Sequence, residues 1–473
     1  MAQKVIILEI NEVPLRLFGH FQSMRPGSHI DRLMSSSKIL ETLAQDVDES
    51  LLYPSQTWAS LNTGATYDMH QIHWYNDPKP EQYPLYWKTL ANAGVSVGAV
   101  NTLHSSPAAS YAEDNAQYKF LIPDCFASDS YTKPSYYKPF QSLNLKAVSS
   151  NSRAASLKAP IQEAMATVLN TPRYGIRMRS MINGAALVTK ILLKKANRER
   201  LRNLQFPLVA DIFLHQLKKK DPDLAIMFTN HVAGNMHRYW YALFPNDYQR
   251  DIYDATWMAK YGTEILAAVD MLDEYLGVFM KLAEETGRIL VLVSSMGQHA
   301  NLKLTPEYRD SHAYDFRLAD VKRLLARLAP LGNYSFRVES AMVPQYSLEF
   351  PTATDAAKCA AEIRESMLGV QGLAIEVDEN QAVLTVSVTQ DPQAPTYVIR
   401  GQQYTYDQLG FSRLDIDDHH SGCHCPEGSL IIYNSRTAAT AQRSVNYLEY
   451  APALLKHFGV DRPEFMMKPS FSI

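Results

Sequence analysis

Short apolar, β-branched runs alternate along this chain with longer stretches whose apolar positions recur at helical spacing. Residues 4–10 (Lys-Val-Ile-Ile-Leu-Glu-Ile) open the pattern as a continuous buried run, the signature of a central parallel strand. Residues 84–93 suit a short helix, Gly94 its end, and Val95–Asn101 the next strand, which together make one unit of a doubly wound fold. Residues 223–231 return to a buried strand. Residues 254–286 form a long amphipathic helix closed by Gly287, and the run from Arg288 is another buried strand leading into a polar turn at His299. A helix over 318–330 and a strand over Ser429–Tyr433 follow. These pieces predict an α/β fold with a mostly parallel central sheet flanked by helices.

Two stretches break the rhythm. Residues 123–155 are rich in Ser, Tyr, Pro, Lys and Asn, and 156–220 show helical periodicity with clustered Lys and Arg; together they predict a basic helical cap over 123–220. Between 331 and 410, strand-like runs (Tyr334–Val338, Leu373–Val377, Ala382–Val388, Thr396–Ile399) surround one helix at 354–367, which predicts a small α+β insertion. The core is then assigned to 1–122, 221–330 and 411–473.

Composition narrows the function classes. At 473 residues the chain fits one large core with insertions or two to three domains. A net charge of −3 argues against a dedicated nucleic-acid binder. Four cysteines, at 125, 359, 423 and 425, outline no disulfide framework, so a reducing, cytoplasmic setting is expected. The first residues read as a buried strand rather than a signal peptide, and no run of about 18 apolar residues marks a spanning helix. The basic cap could gather an anionic substrate, make peripheral contact with an acidic membrane surface, or be the solvated face of its helices.

The candidate chemistry lies where strands end. Asn11-Glu12 follows the first strand, Thr229-Asn230-His231 the strand at 223–231, and His237 the helix or turn after it. Ligands in open α/β sheets gather at such carboxyl ends. Asn11 is equally an ordinary helix cap. In 53–76, Ser55 and Thr57 precede a helical run ending at Thr63-Gly64. A hydroxyl there faces unpaired N–H groups and the positive end of the helix dipole, a setting for an anion or a nascent alkoxide, or simply an N-cap. In the tail, Asp417-Asp418-His419-His420-Ser421-Gly422-Cys423-His424-Cys425 places two acids, three His and two Cys within nine residues, a concentration of potential ligands in no standard zinc-finger spacing.

The order of these pieces resembles the alkaline phosphatase superfamily, most closely its type I phosphodiesterase and nucleotide pyrophosphatase branch. The matching segments are Pro54-Ser55-Gln56-Thr57-Trp58, Thr63-Gly64, His70-Gln71-Ile72 and His424-Cys425-Pro426-Glu427-Gly428. The resemblance implies Thr57 as nucleophile (Ser55 as second choice), Asn76 as an oxyanion contact, and a divalent metal, zinc or manganese, held by residues at the positions of Asn11, His237 and His424. It departs from the family where an acidic ligand is expected, at Asn11, Ala233 and Ser295-Met296. Methionine is a poor ligand for a hard divalent ion. One ion or none is therefore expected rather than two. Glu9, Glu12, His231, His299, Asp417, Asp418 and His420 are the available replacements.

Two readings follow from the resemblance. In one, the chain is a phosphodiesterase- or phosphatase-like hydrolase, or a phosphoryl or sulfuryl transferase. It acts on a small-molecule, glycan-linked or lipid-linked anionic ester, with His231, Lys194 and Arg198 meeting the substrate. In the other, it is a catalytically inactive binding or scaffold protein that keeps the fold.

Overall fold

In the computed structural model the residues described are 2–49, 52–75, 77–149, 170–339, 345–380, 382–391, 394, 396–434 and 443–473. They divide into two compact units: 1–141, 165–305 and 420–473 in the first, 142–164 and 306–419 in the second.

The first unit is built on an eight-stranded sheet. Six strands are β1 (Val5–Ile10), β2 (Lys38–Leu43), β3 (Val97–Val100), β4 (Tyr118–Ile122), β5 (Leu224–Thr229) and β6 (Ile289–Val293). With strands Leu430–Tyr433 and Arg443–Asn446, the order across the sheet is Arg443–Asn446, β2, Leu430–Tyr433, β6, β1, β5, β3, β4. Leu430–Tyr433 runs antiparallel to both neighbours, β2 and β6, and the other pairings are parallel. The predicted α/β fold with a mostly parallel sheet is the observed one.

β1, β5 and β6 are buried at every position, as strands covered on both faces must be. Ile6, Leu8 and Ile10 point into one core layer, with Ala225 and Met227 of β5 and Leu290 and Leu292 of β6. Successive side chains alternate, so Val5, Ile7 and Glu9 face the other side. The three adjacent strands β6, β1 and β5 deliver their carboxyl ends to one edge of the sheet.

Described parts of the segment read as a cap pack into the first unit's core. Tyr137, Tyr174, Phe206, Ile212 and Phe213 belong to the same hydrophobic cluster as Ile6 and Leu8. The helix Gln205–Lys220 is a covering helix of the sheet, with ten buried residues, all between Phe206 and Leu217. Apolar burial outweighs the basic character read from the sequence. The long helix read over 254–286 is two helices, Ala255–Tyr261 and Glu264–Thr286, broken at Gly262–Thr263.

The second unit is wider than the insertion read at 331–410. Strand Tyr314–Leu318 pairs antiparallel with Phe411–Asp415 and so ties both flanks into it. The helix Val321–Leu328, assigned above to the core, buries Leu324, Leu325 and Leu328 in this unit's own cluster. A four-stranded antiparallel sheet and the helix Ala353–Ser366 complete it.

Candidate metal centre at the strand ends

Glu12 is the hub of the polar residues at the sheet edge. It follows β1 with a left-handed backbone, φ 59°, and is buried. Its Oε2 lies 2.8 Å from His237 Nε2 and 3.5 Å from His424 Nε2. Gln298 Nε2 donates to the same oxygen, and Asn11 Nδ2 donates to Oε1 at 2.7 Å. Among the described residues, Glu12, His237 and His424 are the one set of three His, Cys, Asp or Glu whose ligand atoms all lie within 4.8 Å of one another.

Two local structures aim the histidines. His237 sits in the helix His231–Leu243, which starts directly after β5. His424 sits in the short strand Gly422–Cys425, paired antiparallel with Gly297–Ala300 just beyond β6. Gly422 permits this approach, because a Cβ there would meet the Met236 carbonyl at 2.6 Å. Its own carbonyl lies 3.3 Å from His237 Nδ1. A proton on Nδ1 directed to that carbonyl leaves Nε2 as the ring atom facing Glu12, the second contact that typically orients a ligating imidazole.

The electrostatics follow from this packing. Burial pushes the Glu12 pKa up, but the imidazoles of His424 and His237 and their hydrogen bonds overcome it and hold the carboxyl well below its usual range. Burial opposes charge on His424, and Glu12 beside it raises that pKa above the ordinary imidazole value. One carboxylate and two Nε2 atoms form a donor set suited to a single zinc-type ion. Gln298 Oε1, beside this group, is buried without a hydrogen-bond partner, a polar atom that an ion's water could satisfy. The residues present therefore fit one divalent ion.

Asn11 orients this group. Its Oδ1 accepts from Trp58 Nε1 at 2.8 Å, and its Nδ2 donates to Glu12 and to Asn230 Oδ1 at 2.8 Å. With the oxygen held by Trp58, the amide presents a donor to Glu12. Trp58 belongs to the helix Pro54–Thr63, so this bond ties that helix to the end of β1. Tyr53, just before the helix, packs edge-on against the His424 ring at 6.4 Å.

Thr57 and Ser55 both lie in this helix, and both are buried, 0% and 1% exposed. The Thr57 hydroxyl is 2.9 Å from Ser295 Oγ, in the turn after β6, and 3.2 Å from the Tyr53 carbonyl. It therefore faces a polar partner at the sheet edge. The first-turn N–H groups are less open than the sequence implies. Pro54 has none, and those of Gln56 and Thr57 both donate to the Tyr53 carbonyl.

The structure separates the other candidates. His231 shares a helix with His237 but stacks on Phe206 at 4.0 Å between centroids; Thr229 Oγ1 is 2.7 Å from its Nδ1 and the Ala268 carbonyl 3.2 Å from its Nε2. Burial depresses its pKa to about 3. It is a satisfied core histidine, engaged away from Glu12. Lys194 is exposed in the turn after the helix Met178–Leu192, and Arg198 is exposed in the following 3₁₀ segment. Asn76 lies outside the described residues. His420 is close, its ring 5.5 Å from that of His237. Glu12 stood in the sequence only as one replacement among seven, and Gln298 carried no signal at all.

No protein-family model matches this chain, and no curated protein matches it. Solved structures of the alkaline phosphatase superfamily do match along nearly its whole length. Murine ectonucleotide pyrophosphatase/phosphodiesterase 5 is 10% identical, with 99% of this chain and 98% of that chain covered and a TM-score of 0.40. Phosphonoacetate hydrolase from Sinorhizobium meliloti 1021 is 11% identical over 95% of this chain and 94% of that one, at 0.38. Alkaline phosphatase from the Antarctic bacterium TAB5 is 8% identical over 98% and 100%, at 0.39. Likeness at this distance says nothing of activity.

Proposed function

We propose that the chain is a metal-dependent hydrolase of anionic esters, phosphoesters foremost, working at a centre of Glu12, His237 and His424. The observation that carries the reading is the buried Glu12 carboxylate placed within reach of two Nε2 atoms at the carboxyl edge of the sheet. A divalent ion held there would supply positive charge for an ester oxygen and for an activated hydroxyl or water. The chain's own residues have distinct parts. Asn11 and Gln298 hold Glu12 in place, and the Gly422 carbonyl fixes the His237 tautomer. Thr57 is the attacking hydroxyl, with Ser295 as the hydrogen-bond partner of its Oγ. Neither Ser295 nor the Tyr53 carbonyl is a base, so lowering the pKa of the Thr57 hydroxyl is chemistry that a bound ion would supply.

The second reading is a binding protein without turnover. The complete burial of Thr57 favours it, since attack requires that oxygen to reach substrate. Turnover of nitrophenyl phosphodiesters and monoesters, measured with added zinc or manganese, separates the two. The hydrolase reading expects metal-dependent turnover that falls by at least about a hundredfold in Thr57→Ala. Metal binding with no turnover on either ester class would establish the second.

A further inference from the structure

The helix Met178–Leu192 presents its apolar side outward. None of its residues is buried. Met178 is 69% exposed, Ile182 59% and Leu192 78%; Met181 and Val188 are exposed with them. Successive positions lie three, one, six and four residues apart, which at about 100° per residue keeps all five on one helix face about 22 Å long. The opposite side holds the protein, with Ser180 Oγ 2.9 Å from Tyr275 Oη; just before the helix, the Arg177 guanidinium lies 4.3 Å above the Tyr275 ring while pairing with Asp211 at 2.6 Å. A surface helix normally turns its polar face to water. Here a contiguous apolar stripe faces out, the kind of patch that marks an interaction surface.

Charge identifies the partner. Residues 171–204 carry nine Lys and Arg against one acid, Glu199, in a chain whose net charge is −3. Arg177, Arg179 and Arg200 pair with Asp211, Glu274 and Glu264. Lys190, Lys194 and Lys195 are exposed at the helix's carboxyl end, flanking the stripe. We propose that this helix docks the protein onto an anionic lipid bilayer, lying in the interface with its apolar stripe among the acyl chains and its lysines at the headgroups. A second copy of the same face would bring two basic segments together, whereas an anionic bilayer satisfies stripe and lysines at once. No described helix is long and apolar enough to cross a membrane, which is consistent with a helix that lies on the surface.

The test is flotation of the full-length protein with phosphatidylcholine vesicles, with and without about 30% phosphatidylserine. Binding is expected on the anionic vesicles, weaker by at least about tenfold on neutral ones and at high salt. Ile182→Gln with Leu192→Gln should abolish it. Lys194→Gln with Lys195→Gln should weaken it by about tenfold or more. All these positions are exposed, so unchanged melting temperatures verify folding. Equal binding to neutral and anionic vesicles, or no loss in the Ile182/Leu192 variant, overturns the proposal. So does a failure to float combined with a dimer in sedimentation velocity that Leu192→Gln disrupts, which would assign the face to a second copy.

Discussion

Glu9 and Glu12 stand three residues apart at the end of the same chain segment, and both are buried. Their surroundings drive them to opposite states. Glu9 faces the sheet's second layer, its two oxygens without a hydrogen-bond partner, and burial raises its pKa to about 8, an effect that Thr102 nearby only moderates. Glu12 is buried as deeply, yet two imidazoles hold it ionised. Burial alone therefore does not make a functional carboxylate. The difference lies in what the neighbouring strands and loops bring to it: His237 from the helix after β5 and His424 from the short strand paired with Gly297–Ala300, against the hydroxyls of Tyr86 and Tyr450 near Glu9.

The largest effect is expected from Glu12→Gln. It removes the counter-charge of two imidazoles and the carboxylate ligand together. Chemical denaturation should show a loss of about 3 kcal/mol in the metal-free protein, in the range for breaking a buried pair. Zinc affinity should fall by at least about a hundredfold. Unchanged zinc affinity would make the trio a plain ion pair.

Glu9→Gln should act in the other direction. Below about pH 4.5 the carboxyl is protonated in both folded and unfolded chains. As pH rises from there toward about 8, the unfolded chain ionises while the folded one stays neutral, so stability falls across that window. Glu9→Gln removes this slope and should stabilise the protein by about 1–3 kcal/mol at pH 8, since the amide remains buried and only partly satisfied. Glu12 slopes oppositely, giving stability above the usual carboxylate range that is lost as pH falls through its depressed pKa. Parallel slopes in the two difference curves would contradict the contrast.

The two histidines of one helix extend the comparison. His231→Phe should cost about 1–2 kcal/mol, because Thr229 loses its partner, while zinc affinity stays at the wild-type value. His237→Ala should lose zinc binding. The smallest effect is expected from Ser295→Ala, which removes one hydrogen bond to Thr57 and costs about 0.5–1.5 kcal/mol in a denaturant melt.

Much of the fold was legible in local pattern. The run at 4–10 is β1, Val5–Ile10; the strand expected at 223–231 is β5, Leu224–Thr229; and Thr396–Ile399 has the bounds read from it. β2 was missed because Lys38 and Glu41 interrupt its apolar pattern; it is half-buried, alternating between buried and intermediate positions. The strand at Gly422–Cys425 was not read from the sequence, because its pairing with Gly297–Ala300 is set by distant residues. In the candidate centre, His237 and His424 came from motif order, and the structure brings them together. Glu12 was obscured by Asn11, which occupies the position expected of the ligand. A left-handed backbone at Glu12 turns the next residue inward, and a turn of that kind leaves no trace in the pattern of apolar and polar residues.

Zinc titration by calorimetry, run on the wild-type chain, Glu12→Gln and His424→Ala with metal content checked before and after dialysis, tests the centre most directly. One ion per wild-type chain, with binding lost in both variants, is the expected result. Binding that survives in both variants would mean that Glu12, His237 and His424 do not form the metal centre, and two ions per chain would contradict a single-ion site.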